Sequence, residues 1–134
     1  MRVSGRLRHK GRALTFRDYE QLALEAFPEM YKAKCLPADP NQPAKVRMVV
    51  IPEIKNRYPF RPFEPQASAN QLLKIQRFLQ DRTSPLVQLA VVNARYVAIQ
   101  INCEIQFMAD QDEAFCRLQL NEAIKKFLSP WAYA

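Results

Sequence analysis

Residues 97–107 read VAIQINCEIQF, in which Val97, Ile99, Ile101, Cys103, Ile105 and Phe107 alternate without a break against smaller or polar neighbours. A period of two held over this length is the pattern of a β-strand with one face in a core and the other in water. Working outward, the apolar run Leu86 to Val92 reads as a buried strand just before it. Upstream, YKAKCL sets Tyr31, Ala33 and Cys35 against Lys32 and Lys34, and VRMVVI, Val46 to Ile51, is a second and more buried strand. The turn-rich PADPNQPA between them predicts a hairpin with a long loop. Four strands are therefore expected.

Helical periodicity fills the gaps. Tyr19, Leu22, Ala23 and Ala26 fall on one face after Thr15, with Asp18 three residues on as an acidic capping partner and Pro28 as the stop. Ser68 and Gln71 repeat the capping arrangement ahead of Leu72, Ile75, Phe78 and Leu79, and TSP at 83–85 ends that helix. A last helix starts near Asp110, with Glu113 in the capping position and Leu120, Ala123, Ile124 and Phe127 inward, and SPWAYA stops it. The order α-β-β-α-β-β-α is an α+β arrangement: a mainly antiparallel four-stranded sheet with helices packed on one face.

Two stretches fall outside this pattern. Residues 52–67 hold four of the ten prolines, which rules out a helix or a central strand. Their aromatics Tyr58, Phe60 and Phe63 mark a long ordered loop pinned onto something apolar. At the other end, Arg2, Arg6, Arg8, Lys10, Arg12 and Arg17 occupy residues 2–17 with no acid among them. The rest of the chain keeps fourteen basic against thirteen acidic residues, so the formal charge of +7 belongs almost wholly to this segment. Residues 1–14 thus form a basic arm or connector, and residues 15–134 a single α+β domain.

Composition narrows the function. The chain's 134 residues are enough for one core without disulfide or metal staples. Three widely spaced cysteines fit neither a secreted disulfide framework nor a zinc site, which points to synthesis in a reducing cytoplasm. No apolar run reaches the roughly 20 residues of a membrane helix, so membrane insertion is not expected. Both glycines, Gly5 and Gly11, lie in the arm, so no glycine-rich phosphate cradle can be built. His9 sits among like charges, which disfavours a catalytic imidazole or a metal ligand. Cys103 and Cys116 fall on expected core positions, where cysteine acts as a small hydrophobe. Asp110, Asp112 and Glu113 cluster at a helix start, where acids complement the dipole. No catalytic, cofactor or metal site is expected.

The arm then carries the functional reading. Its charges could contact phosphates in a salt-sensitive way, or pair with an acidic surface of another protein. Aromatic interleaving and helix-turn-helix or RNP-type patterns are missing, so nucleic acid is the lesser alternative. The expected interface residues are Arg6, Arg8, Lys10, Arg12 and Arg17 of the basic segment, Tyr58, Phe60 and Phe63 of the loop, and Trp131.

The stretch RVSGRLRHKGRALTFRDYEQLALEAFPEMYKAKCL, residues 2–36, resembles the segment that opens the C-terminal domain of baseplate J-like proteins, wedge subunits of contractile phage tails and injection systems. The likeness continues through VVIPEIKN, TSPLVQLAVVNARY and LNEAIKKFLSPWAY, and so covers nearly the whole chain. It implies a structural wedge component, the C-terminal domain of a longer protein. Such a component contacts other wedge subunits and sheath or hub proteins around the spike, and helps transmit the contraction trigger. It further implies self-association or hetero-oligomer formation in a ring, within the baseplate of a phage-tail-like particle. No catalytic residues or cofactors come with that family.

Overall fold

Thr15 opens the first helix, α1 (Phe16–Ala26), through a reciprocal cap: its hydroxyl accepts from the Asp18 N–H at 3.3 Å, and the Asp18 carboxylate accepts from the Thr15 N–H at 2.8 Å. The computed structural model describes residues 13–37, 40–42, 44–55 and 61–133. The chain divides into two compact units, one of Met1–Glu53 with Pro65–Ala94 and one of Ile54–Glu64 with Arg95–Ala134.

In the first unit, α1 leads into β1 (Met30–Pro37), which pairs antiparallel with β2 (Lys45–Pro52) as the expected hairpin. The ladder shifts register between Met30 and Lys32. The second helix, α2 (Ala69–Gln80), has the reciprocal Ser68–Gln71 cap that the sequence spells out. It delivers the chain to β3 (Gln88–Asn93), which pairs with β2 in parallel, Val46 beside Leu89 and Met48 beside Val91. A helical crossover between neighbouring strands returns the chain to the same end of the sheet, so the second strand must run parallel.

The core of this unit lies between one face of the sheet and the two helices. Tyr19, Leu22 and Ala23 of α1 and Ile75 and Leu79 of α2 meet Ala33, Cys35, Val46, Met48, Val50, Leu89 and Val91. Met48, Val50, Ile75 and Leu79 are fully buried. Ala26, expected on the inward face of α1, is exposed, because the helix ends there and the chain turns away at Phe27. Phe27 instead meets Phe78 edge to face at 5.4 Å, a favoured aromatic geometry.

The second unit holds a 16-residue helix, α3 (Glu113–Leu128), and a single 3-10 turn at Pro130–Ala132. Its cap is Asp112, whose carboxylate accepts from the N–H groups of Ala114 at 3.0 Å and Phe115 at 3.5 Å. Glu113 sits in the first turn and pairs with Arg117 at 2.6 Å, so the expected capping role falls one residue earlier. Cys116, Leu120, Ile124 and Leu128 form a half-buried stripe at every fourth position. Ala123 and Phe127, expected inward, are exposed.

The largest departure from expectation is the stretch 97–107. It forms no ladder, and among the described residues the sheet has three strands in mixed orientation instead of four mainly antiparallel ones. A fourth strand folded back along β3 would have to reverse within Ala94, Arg95 and Tyr96, which offer no glycine for the left-handed position such short hairpins use. Asn93, the one residue nearby that tolerates that conformation, is committed elsewhere. Its side chain accepts from the Ala67 N–H at 2.7 Å and donates to the Ala67 carbonyl at 3.0 Å.

Candidate protein-interaction surfaces

The basic segment enters the first unit at a fixed point. Ala13 is buried, and its N–H donates to the Arg82 carbonyl at 3.0 Å. The Asp18 carboxylate also accepts from the Leu14 N–H at 3.2 Å, so two successive amides are held by one side chain. Arg17 follows on α1, exposed beside the exposed Leu14 and Phe16. Arg6, Arg8, Lys10 and Arg12 lie outside the described residues, as do Tyr58 and Phe60.

Edge strand β1 is shielded from stray pairing by its own side chains. Glu20 of α1 accepts from the Cys35 N–H at 2.9 Å and pairs with Lys34 at 3.3 Å. Lysines on an edge, and a side chain occupying an outward amide, both block strand addition. Burial, with the Glu20 carboxylate adding to it and Lys34 opposing, pushes the Cys35 thiol up to about 12. This cysteine is a protonated part of the core.

Phe63 and Trp131, two residues chosen from sequence, meet within the second unit. The Trp131 indole N–H donates to the Phe63 carbonyl at 3.2 Å, and the Phe63 ring lies 6.3 Å from that of Tyr133. Tyr96 packs against Trp131 at 5.5 Å, and Lys126 stands 5.8 Å over the Tyr133 ring. The proline-rich loop is thus anchored by the end of the chain, with Arg61 and Glu64 pairing at 3.3 Å beside it. Burial, reinforced by Glu64, pushes the Tyr96 hydroxyl up to about 12. Tyr96 and Tyr133 were not singled out in the sequence, because nothing local distinguishes them from other loop aromatics.

None of the described residues of the second unit is buried. Val97 is 78% exposed and Ile99 66%, Ile101 and Ile105 are about half exposed, and Cys103 is exposed where a core position was expected. On α3, Phe115, Leu118 and Phe127 are exposed too, the last at 84%. These exposed apolar side chains are the candidate interaction residues of the second unit. Among the described residues, no three His, Cys, Asp or Glu side chains gather to hold a metal, and no helix is long and apolar enough to cross a membrane.

The fold matches that of a solved chain in the cryo-EM structure of the anti-feeding prophage (AFP) baseplate, 6-fold symmetrised, with a TM-score of 0.79 at 20% identity. The match covers 98% of this chain and 28% of the other, so the chain spans less than a third of that relative's length. No curated protein matches in sequence. The family model that matches the whole chain places it among baseplate proteins, the class the sequence resemblance implied. Within that class, the chain belongs to the PVC11-like baseplate protein family, which matches residues 1–134.

Proposed function

We propose that the chain acts by contact alone: a C-terminal module of a longer wedge protein that joins neighbouring subunits around the spike and passes on the contraction trigger, with no bond made or broken. The observation that carries this reading is the family match along the whole chain. The half-exposed second unit supports it, because such a surface is costly in a protein that works alone. The 6-fold symmetrised baseplate of the solved relative supports a place for this chain in a ring.

In this reading Arg6, Arg8, Lys10, Arg12 and Arg17 pair with acidic groups of adjacent wedge, sheath or hub subunits, for which the planar arginine fork is well suited. Tyr58, Phe60, Phe63 and Trp131 present the aromatic part of the interface. The test is to replace Arg6, Arg8, Lys10 and Arg12 with alanine in particle-producing cells and to count assembled baseplates by electron microscopy. Assembly should drop sharply while residues 13–133 stay folded. A salt titration on duplex DNA and RNA tests the phosphate-clamp alternative: submicromolar binding at physiological salt, lost in the same variant, would replace the contact reading.

A further inference from the structure

The sheet of the first unit has two unlike faces. Both helices of that unit, α1 and α2, pack on the face that carries Ala33, Met48 and Val91. On the opposite face the ladders set Lys34 beside Val49 and Val92, and Lys32 beside Ile51, with Arg47 and Lys45 following along β2. The charge on this side is of one sign, because β1, β2 and β3 contain no acid at all. Glu20 takes Lys34 at 3.3 Å from α1. That leaves Lys32, Lys45 and Arg47 exposed and without an acidic partner among the described residues. Between these cations lie the half-buried Val49, Ile51 and Val92.

We infer that this face docks an amphipathic α-helix of another protein, apolar along its middle and acidic along its flanks. β2 and β3 run parallel, and parallel strands are as a rule covered on both faces. The β-branched side chains on the side away from α1 and α2 suit such a cover. Strands lie about 4.8 Å apart, so three of them span about 10 Å, the width of one helix. An eight-residue strand such as β2 is about 26 Å long, which matches about 17 helical residues.

Charge selects among the possible occupants. Carboxylates flanking the docked helix meet Lys32, Lys45 and Arg47, and complementary charge of this kind fixes orientation. The same face of a second copy would bring like charges together. A phosphate backbone would pair with the cations but leave Val49, Ile51 and Val92 uncovered. None of these sheet residues belongs to the contact surfaces assigned above. The occupant is sought in the assembled particle, and in that respect the inference rests on the baseplate reading.

Carbodiimide joins an amine to a carboxylate in contact with it. In particles treated this way, mass spectrometry of the digest should find Lys32 and Lys45 linked to Asp or Glu residues of one helix in a different subunit. Acetylation of both lysines should be at least about tenfold slower in the particle than in the purified chain. Lys45→Glu with Arg47→Glu should cut incorporation of the chain into baseplates at least about tenfold at an unchanged urea midpoint. If that variant unfolds, the two measurements on the unaltered chain decide. Equal acetylation in the particle and the free chain overturns the inference and leaves the baseplate reading standing. So does the lack of a link from either lysine to a helix of another subunit, links to a second copy alone, or normal incorporation of the folded double variant. Particles that lack the chain altogether overturn both.

Discussion

Asp18 does more than cap a helix, and its removal tests how the basic segment is fixed to the fold. The residue is 7% exposed, and its carboxylate accepts from the N–H groups of Leu14 and Thr15 at 3.2 and 2.8 Å. Hydrogen bonds to a charged acceptor contribute about 1.5–3 kcal/mol each. The longer one counts for less, and both amides regain some water once freed. Loss of an acid from the first helical turn adds about 0.5 kcal/mol. Asp18→Ala should therefore cost about 2–3 kcal/mol. Asp18→Asn keeps an accepting oxygen and loses only the charge, for a cost of about 1 kcal/mol. For a chain of this size the difference is several degrees of melting temperature, at about 4 °C per kcal/mol. Urea unfolding followed by circular dichroism gives the energies, and amide exchange at Leu14 and Thr15 gives the local effect. Equal losses for the two variants, or a loss below about 0.5 kcal/mol for Asp18→Ala, would refute the anchoring of the chain entry by one Asp18 oxygen that accepts from both amides.

Other outcomes follow from the same contacts. Cys103 should react readily with a maleimide in dilute solution, whereas Cys35 should stay unmodified until the first unit unfolds, as mass spectrometry of labelled peptides would show. The raised thiol of Cys35 favours the folded state fully below its ordinary value near 9, and this contribution fades as pH rises towards 12. Tyr96 acts in the same sense from about 10 to 12. Urea midpoints should therefore fall as pH rises through this range, and Tyr96→Phe should remove a late step from the tyrosinate absorbance titration. Ile75→Ala, at a fully buried position, should cost roughly 2–5 kcal/mol in urea unfolding. Trp131→Phe removes the indole N–H that holds Phe63, and should speed proteolysis within residues 54–64 while leaving the first unit's amide exchange unchanged.

Most of the first unit could be read along the chain because its signals are local. Thr15 with Asp18 and Ser68 with Gln71 spell their caps within four residues, and the lysines of YKAKCL mark the wet side of an edge strand. Parallel pairing of β3 was not legible, since strand direction depends on how α2 crosses the sheet. The strand expected at 97–107 does not form, because periodicity reports the side-chain pattern and not whether a partner strand is within reach. On α3 the inward face was misjudged for a related reason: with so much of the helix uncovered, a stripe at every fourth residue is enough. Of the candidate surface residues, Phe63 and Trp131 meet through a bond between a loop carbonyl and an indole 68 residues away, a contact no short window contains.

The second unit is assembled from two separate pieces of chain, and this has a mechanical consequence. The polypeptide crosses between the units three times, after Glu53, before Pro65 and after Ala94. A tug on the second unit therefore reaches the first along three covalent lines at once: at the end of β2, just ahead of α2 and at the end of β3. A single linker carries load along one path, whereas three share the tension.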